Sequence, residues 1–284
     1  MPARLDHRNT AWERVERATY VVRQTVRYDY SAPATHLRQR LMLVPPAQHG
    51  DQRRVGWLIE ASIPARRRLS HDRFGNVSVD FRVDALEGAV TFDAHVVVER
   101  APRSEPRVPH PHRSLGHRSA LTAADAELEG AAADLVGAGY RDLDLAERIC
   151  DWTSRRLVYR HDVTSIATTA IAACQAGAGV CQDFSHVMLA VCRQAGMSAR
   201  YVSGHLLGEG PSHAWVEVLL PRDDGRSWTS VAFDPTHARR AGGDYVTIAT
   251  GRDYRDVAPT SGSCFSAQPG SLTTSKDAFL TATV

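Results

Sequence analysis

Apolar side chains recur at every second position through the first hundred residues. Val22, Val26, Tyr28 and Tyr30 share one parity. Val55, Trp57, Ile59, Ala61 and Ile63 form a second set, Val77, Val79, Phe81 and Val83 a third, and Val90, Phe92, Ala94, Val96 and Val98 a fourth. A period of two puts alternate side chains on one face of an extended chain, so these runs predict half-buried strands. The run DRFGN, Asp72 to Asn76, supplies a turn between two of them, and Pro45-Pro46 stops another. An antiparallel sheet or sandwich over residues 18–100 is the expectation.

The stretch APRSEPRVPHPHRSLGHR, Ala101 to Arg118, has four prolines and no apolar period, and reads as a linker. His110, His112 and His117 lie in it, but a proline-rich tether offers no rigid frame for metal coordination. The period then becomes helical. One helix is predicted near 123–136, and a second near 142–157 with Leu145, Ile149 and Trp152 on one stripe. Phe184, Val187, Met188 and Val191 mark a third, ended by Gly196. Beyond it the period returns to two through ARYVSGHLL, SHAWVEVLL and SWTSVAFD. Helices followed by strands predict an α+β core over 119–270. Residues 271–284, rich in Ser, Thr and Ala, are read as a C-terminal tail.

Composition narrows the function. With 284 residues, 43% of them hydrophobic and 23% charged, the chain can bury two cores. A net charge of +2 gives no electrostatic argument for nucleic acid or an anionic membrane as partner. Residues 1–120 carry 20 Arg/Lys against 13 Asp/Glu, and residues 121–284 carry 14 against 19, so the halves differ in sign. Cys150, Cys174, Cys181, Cys192 and Cys264 are odd in number and lack CxxC spacing, which argues against a disulfide framework. The first residues are interrupted by charge and no apolar run is long enough to cross a bilayer, so a soluble, reducing, cytoplasmic setting is expected.

One cysteine stands out by position. In GAGVCQDFSH, Cys181 falls where a loop of small residues enters a helix. The first helical turn has amide groups without intrahelical partners and carries the positive end of the macrodipole, which stabilises a thiolate and can also hold an oxyanion. Asp183, in that same turn, opposes the effect. A thiol nucleophile needs a base, and the base needs a group to orient it. His213 begins the strand HAWVEVLL and Asp234 ends WTSVAFD, with PRDDGR between. A turn about Asp223-Asp224 sets His213 opposite Asp234. A turn about Asp224-Gly225 sets them diagonally on the same face, because only parity matters. His186, His205 and His237 compete for the role with weaker partners. A zinc set of Cys181, His186 and His205 lacks a recognisable spacing, and no metal or cofactor is expected.

Taken together, GVCQDFSH, ARYVSGHL, SHAWVEV and FDPTH resemble the bacterial transglutaminase-like family of the papain-like cysteine enzyme group. The likeness extends through GRDYRDVAP, and DRFGN with its flanking strands looks like the N-terminal β region that accompanies this core, so that residues 20–270 are covered. The resemblance implies a papain-like core and a Cys-His-Asp triad on Cys181, His213 and Asp234, the three residues reached above from helix mouth and register. It departs at His205, where Tyr is usual, and at His237, where Asn is usual. The implied chemistry is acyl transfer from an amide or peptide bond of a peptide or protein substrate through a thioester. Hydrolysis is favoured over transamidation because water needs no acceptor site. A non-catalytic binding module on the same fold is the alternative of a different class. Lys276 is the only lysine, so self-crosslinking through lysine amines would have few sites.

Overall fold

The computed structural model describes residues 3–284 except 103–106, 109, 110, 211, 223 and 225. The alternating segments form strands β1 (Ala18–Asp29), β2 (Ala34–Val44), β3 (Gln52–Ala61), β4 (Arg66–His71), β5 (Val77–Leu86) and β6 (Ala89–Arg100). The helical stretch gives α1 (Ala126–Gly137), α2 (Asp142–Arg156), α3 (Ala170–Ala176) and α4 (Cys181–Gln194). Then follow β7 (Ser198–Leu206), β8 (His213–Pro221), β9 (Trp228–Asp234), β10 (Tyr245–Gly251), α5 (Tyr254–Val257), β11 (Thr260–Ser266) and β12 (Ser271–Thr283).

The first six strands make two sheets that enclose Val26, Leu37, Leu41, Ile59, Val79, Phe81 and Phe92. Both sheets are completed from the far end of the chain. β12 pairs with β1 along its length, from Ala18 opposite Thr283 to Asp29 opposite Ser271, and β11 pairs with β2. The segment read as a tail is therefore an edge strand. Its Ser and Thr side chains face solvent and only Phe279 and Leu280 are buried, so no apolar alternation marks it in the sequence. Val55 also differs from expectation. Arg54 opposes Val98 and Gly56 opposes Val97, so Val55 is the extra residue of a β-bulge and is 49% exposed while Ile59 stays in the core. The stretch read as a linker contributes too: Arg107–Val108 pairs with Trp228–Thr229, Leu115 is buried, and His112 caps a short 3-10 turn. His110 lies outside the described residues.

In the core, α4 is buried from Gln182 to Arg193, packed between the other helices and the antiparallel sheet ordered β9, β8, β7, β10. β10 ends that path, and its backbone edge is covered by two side-chain amides of the β domain. Gln52 donates to the Thr247 carbonyl and accepts from its N–H at 2.8 and 2.9 Å. Asn76, the last residue of the DRFGN turn, does the same to Thr250 at 2.6 and 2.8 Å. Each amide replaces one rung of a missing strand, which satisfies a buried edge and fixes the two units together.

A charged network crosses the same interface. Glu217 of β8 accepts from Arg200 Nε at 2.7 Å, Ser230 Oγ at 2.9 Å and pairs with His49 Nε2 at 2.9 Å. Burial works against its charge, but Arg200 and His49 outweigh burial and hold the carboxyl well below the usual range. Glu217→Gln leaves Arg200 without its counter-charge, and we expect a loss of about 3 kcal/mol in urea unfolding. An unchanged midpoint would show that the network carries no such weight.

Candidate active site

The turn into α4 is built for close approach. Gly177 ends α3 in the left-handed region at φ +64. A Cβ on Gly179 would sit 2.6 Å from the Asp183 side chain. Asp183 is buried in the first turn, where Oδ2 accepts from Val180 N–H at 2.8 Å and from Thr164 Oγ1 at 2.7 Å. It closes the helix entry in the manner of a capping box, and burial raises its pKa against those hydrogen bonds. The cap therefore fixes Cys181 as the first residue of α4.

β8 and β9 pair with Val216 opposite Phe233 and Pro221 opposite Trp228. This is the register in which His213 and Asp234 stand diagonally on one face; of the residues assigned to the turn, Asp223 and Gly225 lie outside the described residues. His213 Nε2 is 2.6 Å from Asp234 Oδ2. That oxygen also accepts from Tyr245 OH at 2.7 Å and faces His237 Nδ1 at 2.8 Å, while Oδ1 accepts the N–H groups of Thr236 and His237 at 2.9 and 3.3 Å. With Nε2 committed to the carboxylate, Nδ1 is the nitrogen left to exchange a proton. Cys181 is near enough to this ring to help raise its pKa.

Burial of His213 disfavours its charge, yet the hydrogen bonds to Asp234 and Cys181 and their charges overcome it and push the imidazole up to about 10. Burial likewise opposes the Asp234 carboxylate, but His213, His237 and Tyr245 hold it well below the ordinary carboxylate range. His237 is raised by its hydrogen bond to Asp234. The arrangement stabilises an imidazolium beside an anion at neutral pH, which is the state a thiolate–imidazolium pair needs.

With that geometry in place, comparison with known proteins is direct. Residues 129–235 match the transglutaminase-like superfamily, and residues 20–99 match the bacterial transglutaminase-like N-terminal region. The chain carries a transglutaminase-like core. The uncharacterized protein Rv2569c of Mycobacterium tuberculosis is 29% identical over 279 residues, covering 86% of each chain. The uncharacterized protein ML0607 of Mycobacterium leprae is 36% identical over 121 residues, covering 39% of this chain and 41% of that one. Among solved structures, a provisionally named cysteine protease from Cytophaga hutchinsonii shares the fold. Its TM-score is 0.71 at 19% identity, with 93% of this chain and 98% of that chain covered.

Within this transglutaminase-like core two of the three competing histidines fall elsewhere. His186 is buried in α4, its Nε2 accepts from Tyr254 N–H at 3.2 Å, and burial takes it down to about 4. His205 is buried on β7, and burial with the nearby Lys276 charge pushes it down to about 3. His237 does reach the site, as a second imidazole on Asp234. Ligand atoms of His213, Asp234 and His237 lie within 4.8 Å of one another, so these three could hold a metal ion; here Asp234 is occupied by protein donors.

Three neighbours were not singled out as site residues in the sequence. Tyr245 orients the carboxylate, and its place on β10 across from Leu206 follows from strand pairing alone. Glu209 sits in the loop after β7, with Oε2 3.5 Å from His213 Nδ1 and Oε1 3.3 Å from His237 Nε2. Tyr159 is 46% exposed, and partial burial, with Cys181 and Glu209 nearby, raises its hydroxyl pKa. A loop carboxylate beside two histidines has no periodic signature, which is why Glu209 was invisible.

The other buried thiols are held protonated: burial pushes Cys150 and Cys192 up to about 12 and Cys174 up to about 11. Iodoacetamide at neutral pH is therefore expected to label Cys181 at least ~10-fold faster than these three. Peptide mapping with equal rates at all four would remove the basis for an activated thiol.

Proposed function

We propose that this protein is a cysteine-dependent acyl-transfer enzyme acting on amide or peptide bonds. The observation that carries the reading is that His213, bonded to the buried Asp234 through Nε2 at 2.6 Å, has as its neighbour Cys181, the first residue of α4. In this mechanism Cys181 Sγ attacks the substrate carbonyl while the helix-mouth amides stabilise the oxyanion. His213 gives its Nδ1 proton to the leaving amine and becomes neutral, and Asp234 keeps the ring oriented and ready to take up a proton again through both transfers. His213 then takes a proton from water as water attacks the thioester, which releases the acid and regenerates the thiolate–imidazolium pair.

Hydrolysis is the favoured second half-reaction, making the enzyme a peptidase or amidase. Lys276, the only lysine, is half-buried on β12 and burial brings its amine down to about 8, so it is poorly placed as a crosslinking amine between molecules. Large apolar side chains exposed on the segment between α2 and α3, Val158, Tyr159, Val163 and Ile166, suit a peptide with apolar residues near the reacting bond, because that segment pairs with Ala178–Gly179 and bonds Asp183 through Thr164 at the α4 entry. All five cysteines are free, and no helix among the described residues is long and apolar enough to cross a membrane. Incubation with a peptide library, with and without a primary amine, separates the two chemistries by mass. Products gaining water support the hydrolase; amine adducts with no water-derived products overturn that preference.

A further inference from the structure

On the outer face of the sheet formed by β11, β2, β5 and β4, arginine stands against arginine. Arg38 of β2 is directly opposite Arg82 of β5, and Arg82 is directly opposite Arg66 of β4. Two residues along, Arg40, Asp80 and Arg68 form the next row. Adjacent strands are ~4.8 Å apart, so one row sets three like charges side by side. All five arginines are exposed. Arg40 pairs with Asp80 at 3.0 Å and Arg66 with Asp84 at 2.6 Å. Arg38, Arg68 and Arg82 have no ion-pair or hydrogen-bond partner among the described residues.

Like charges directly opposite one another destabilise a sheet. Charge on an edge strand has a ready structural reason, because it discourages strand-to-strand aggregation, and β4 is an edge. That reason does not extend to Arg38 and Arg82, which lie on the two inner strands. An external anion would relieve them. The arginines line a groove of about 580 Å³, which Ser261 and Ser263 of β11 also line.

The groove selects among anions. Its one aromatic residue, Phe81, is buried in the sandwich core, so no ring is presented for a nucleobase to stack on. A concave groove does not match a flat lipid surface. β4 is an edge strand of its sheet, the kind of backbone edge along which an extended peptide can pair. We propose that this face binds an acidic, extended peptide segment of a protein partner. Its backbone pairs along β4 and its outward carboxylates are taken by Arg68 and Arg82, with Arg38 adding to the field. The inference is independent of the chemistry at Cys181.

Fluorescence anisotropy with a labelled peptide of about ten alternating Glu and Val residues, matched to strand length, tests it on the full chain. The Glu peptide is expected to bind at least ~10-fold tighter than its Gln counterpart and to weaken as salt rises. Arg82→Thr and Arg68→Thr should each lower affinity at least ~5-fold, while Arg82→Thr, freed of two like-charge pairs, melts about 1–3 °C higher. If Arg82→Thr fails to fold, Arg68→Thr at the edge decides. Wild-type affinity in Arg68→Thr, no preference for Glu over Gln, or displacement of the peptide by phosphatidylglycerol vesicles or oligothymidine would overturn the proposal.

Discussion

Cys181→Ala is expected to reduce turnover to the uncatalysed background, a loss of at least ~10⁴-fold, without unfolding the protein. The side chain is partly exposed at the start of α4, and the cap that shapes that turn belongs to Asp183, Val180 and Thr164, so removing the thiol leaves the helix entry intact. His213→Ala should fall by a similar factor, since it removes both the counter-ion of the thiolate and the proton for the leaving amine. Because these groups act as one unit, the double variant should be no slower than either single one. His205→Tyr is the matched control. Burial keeps His205 neutral behind the site, and changing it should leave activity measurable. Loss of turnover in His205→Ala, with activity retained in His213→Ala, would show that the wrong imidazole has been assigned.

Asp234→Asn carries the second large effect, a fall of about 10²–10⁴ in kcat. The amide is close in size to the carboxylate, so the positions of Tyr245, Thr236 and His237 can survive while the charge that holds the imidazolium is lost. In the wild type His213 stands at about 10, above its ordinary value, so its contribution to stability is complete below ~6.5 and is lost as pH rises through about 10. Asp234 is depressed, so its contribution is present above the ordinary carboxylate range and is lost only as pH falls well below that range. The alkaline limb of kcat/KM should therefore move down toward the ordinary imidazole range in Asp234→Asn. The stability penalty should be largest near neutrality and shrink above pH ~10. An unshifted limb in a folded variant would mean that Asp234 does not set the His213 charge.

Much of this was legible because the governing constraint was local. Parity placed His213 and Asp234 on one face whichever turn joined their strands, and the observed register, with Val216 opposite Phe233, used the diagonal arrangement. Helix periodicity in Phe184, Val187, Met188 and Val191 marked a buried helix and so placed Cys181 at its mouth. What escaped depended on contacts distant in sequence. β12 looks polar because it caps a sheet edge, and its partner β1 lies at the other end of the chain. Val55 matched the apolar alternation but was displaced by a bulge that only pairing with β6 defines. His237 was noted as an unusual residue, but its shared hold on Asp234 needed the turn after β9 to be folded. Tyr245 and Glu209 arrive through β10 and a strand-end loop, neither of which carries a chemical motif.

The most direct test is to trap the acyl-enzyme. A slow peptide ester, mixed with the protein, quenched in acid and analysed by intact mass and peptide mapping, should give one acyl group per chain, on Cys181. The adduct should disappear on hydroxylamine treatment and be absent in Cys181→Ala. An acyl group found elsewhere, or peptide turnover persisting in Cys181→Ala at the wild-type rate, would contradict a cysteine nucleophile at the mouth of α4.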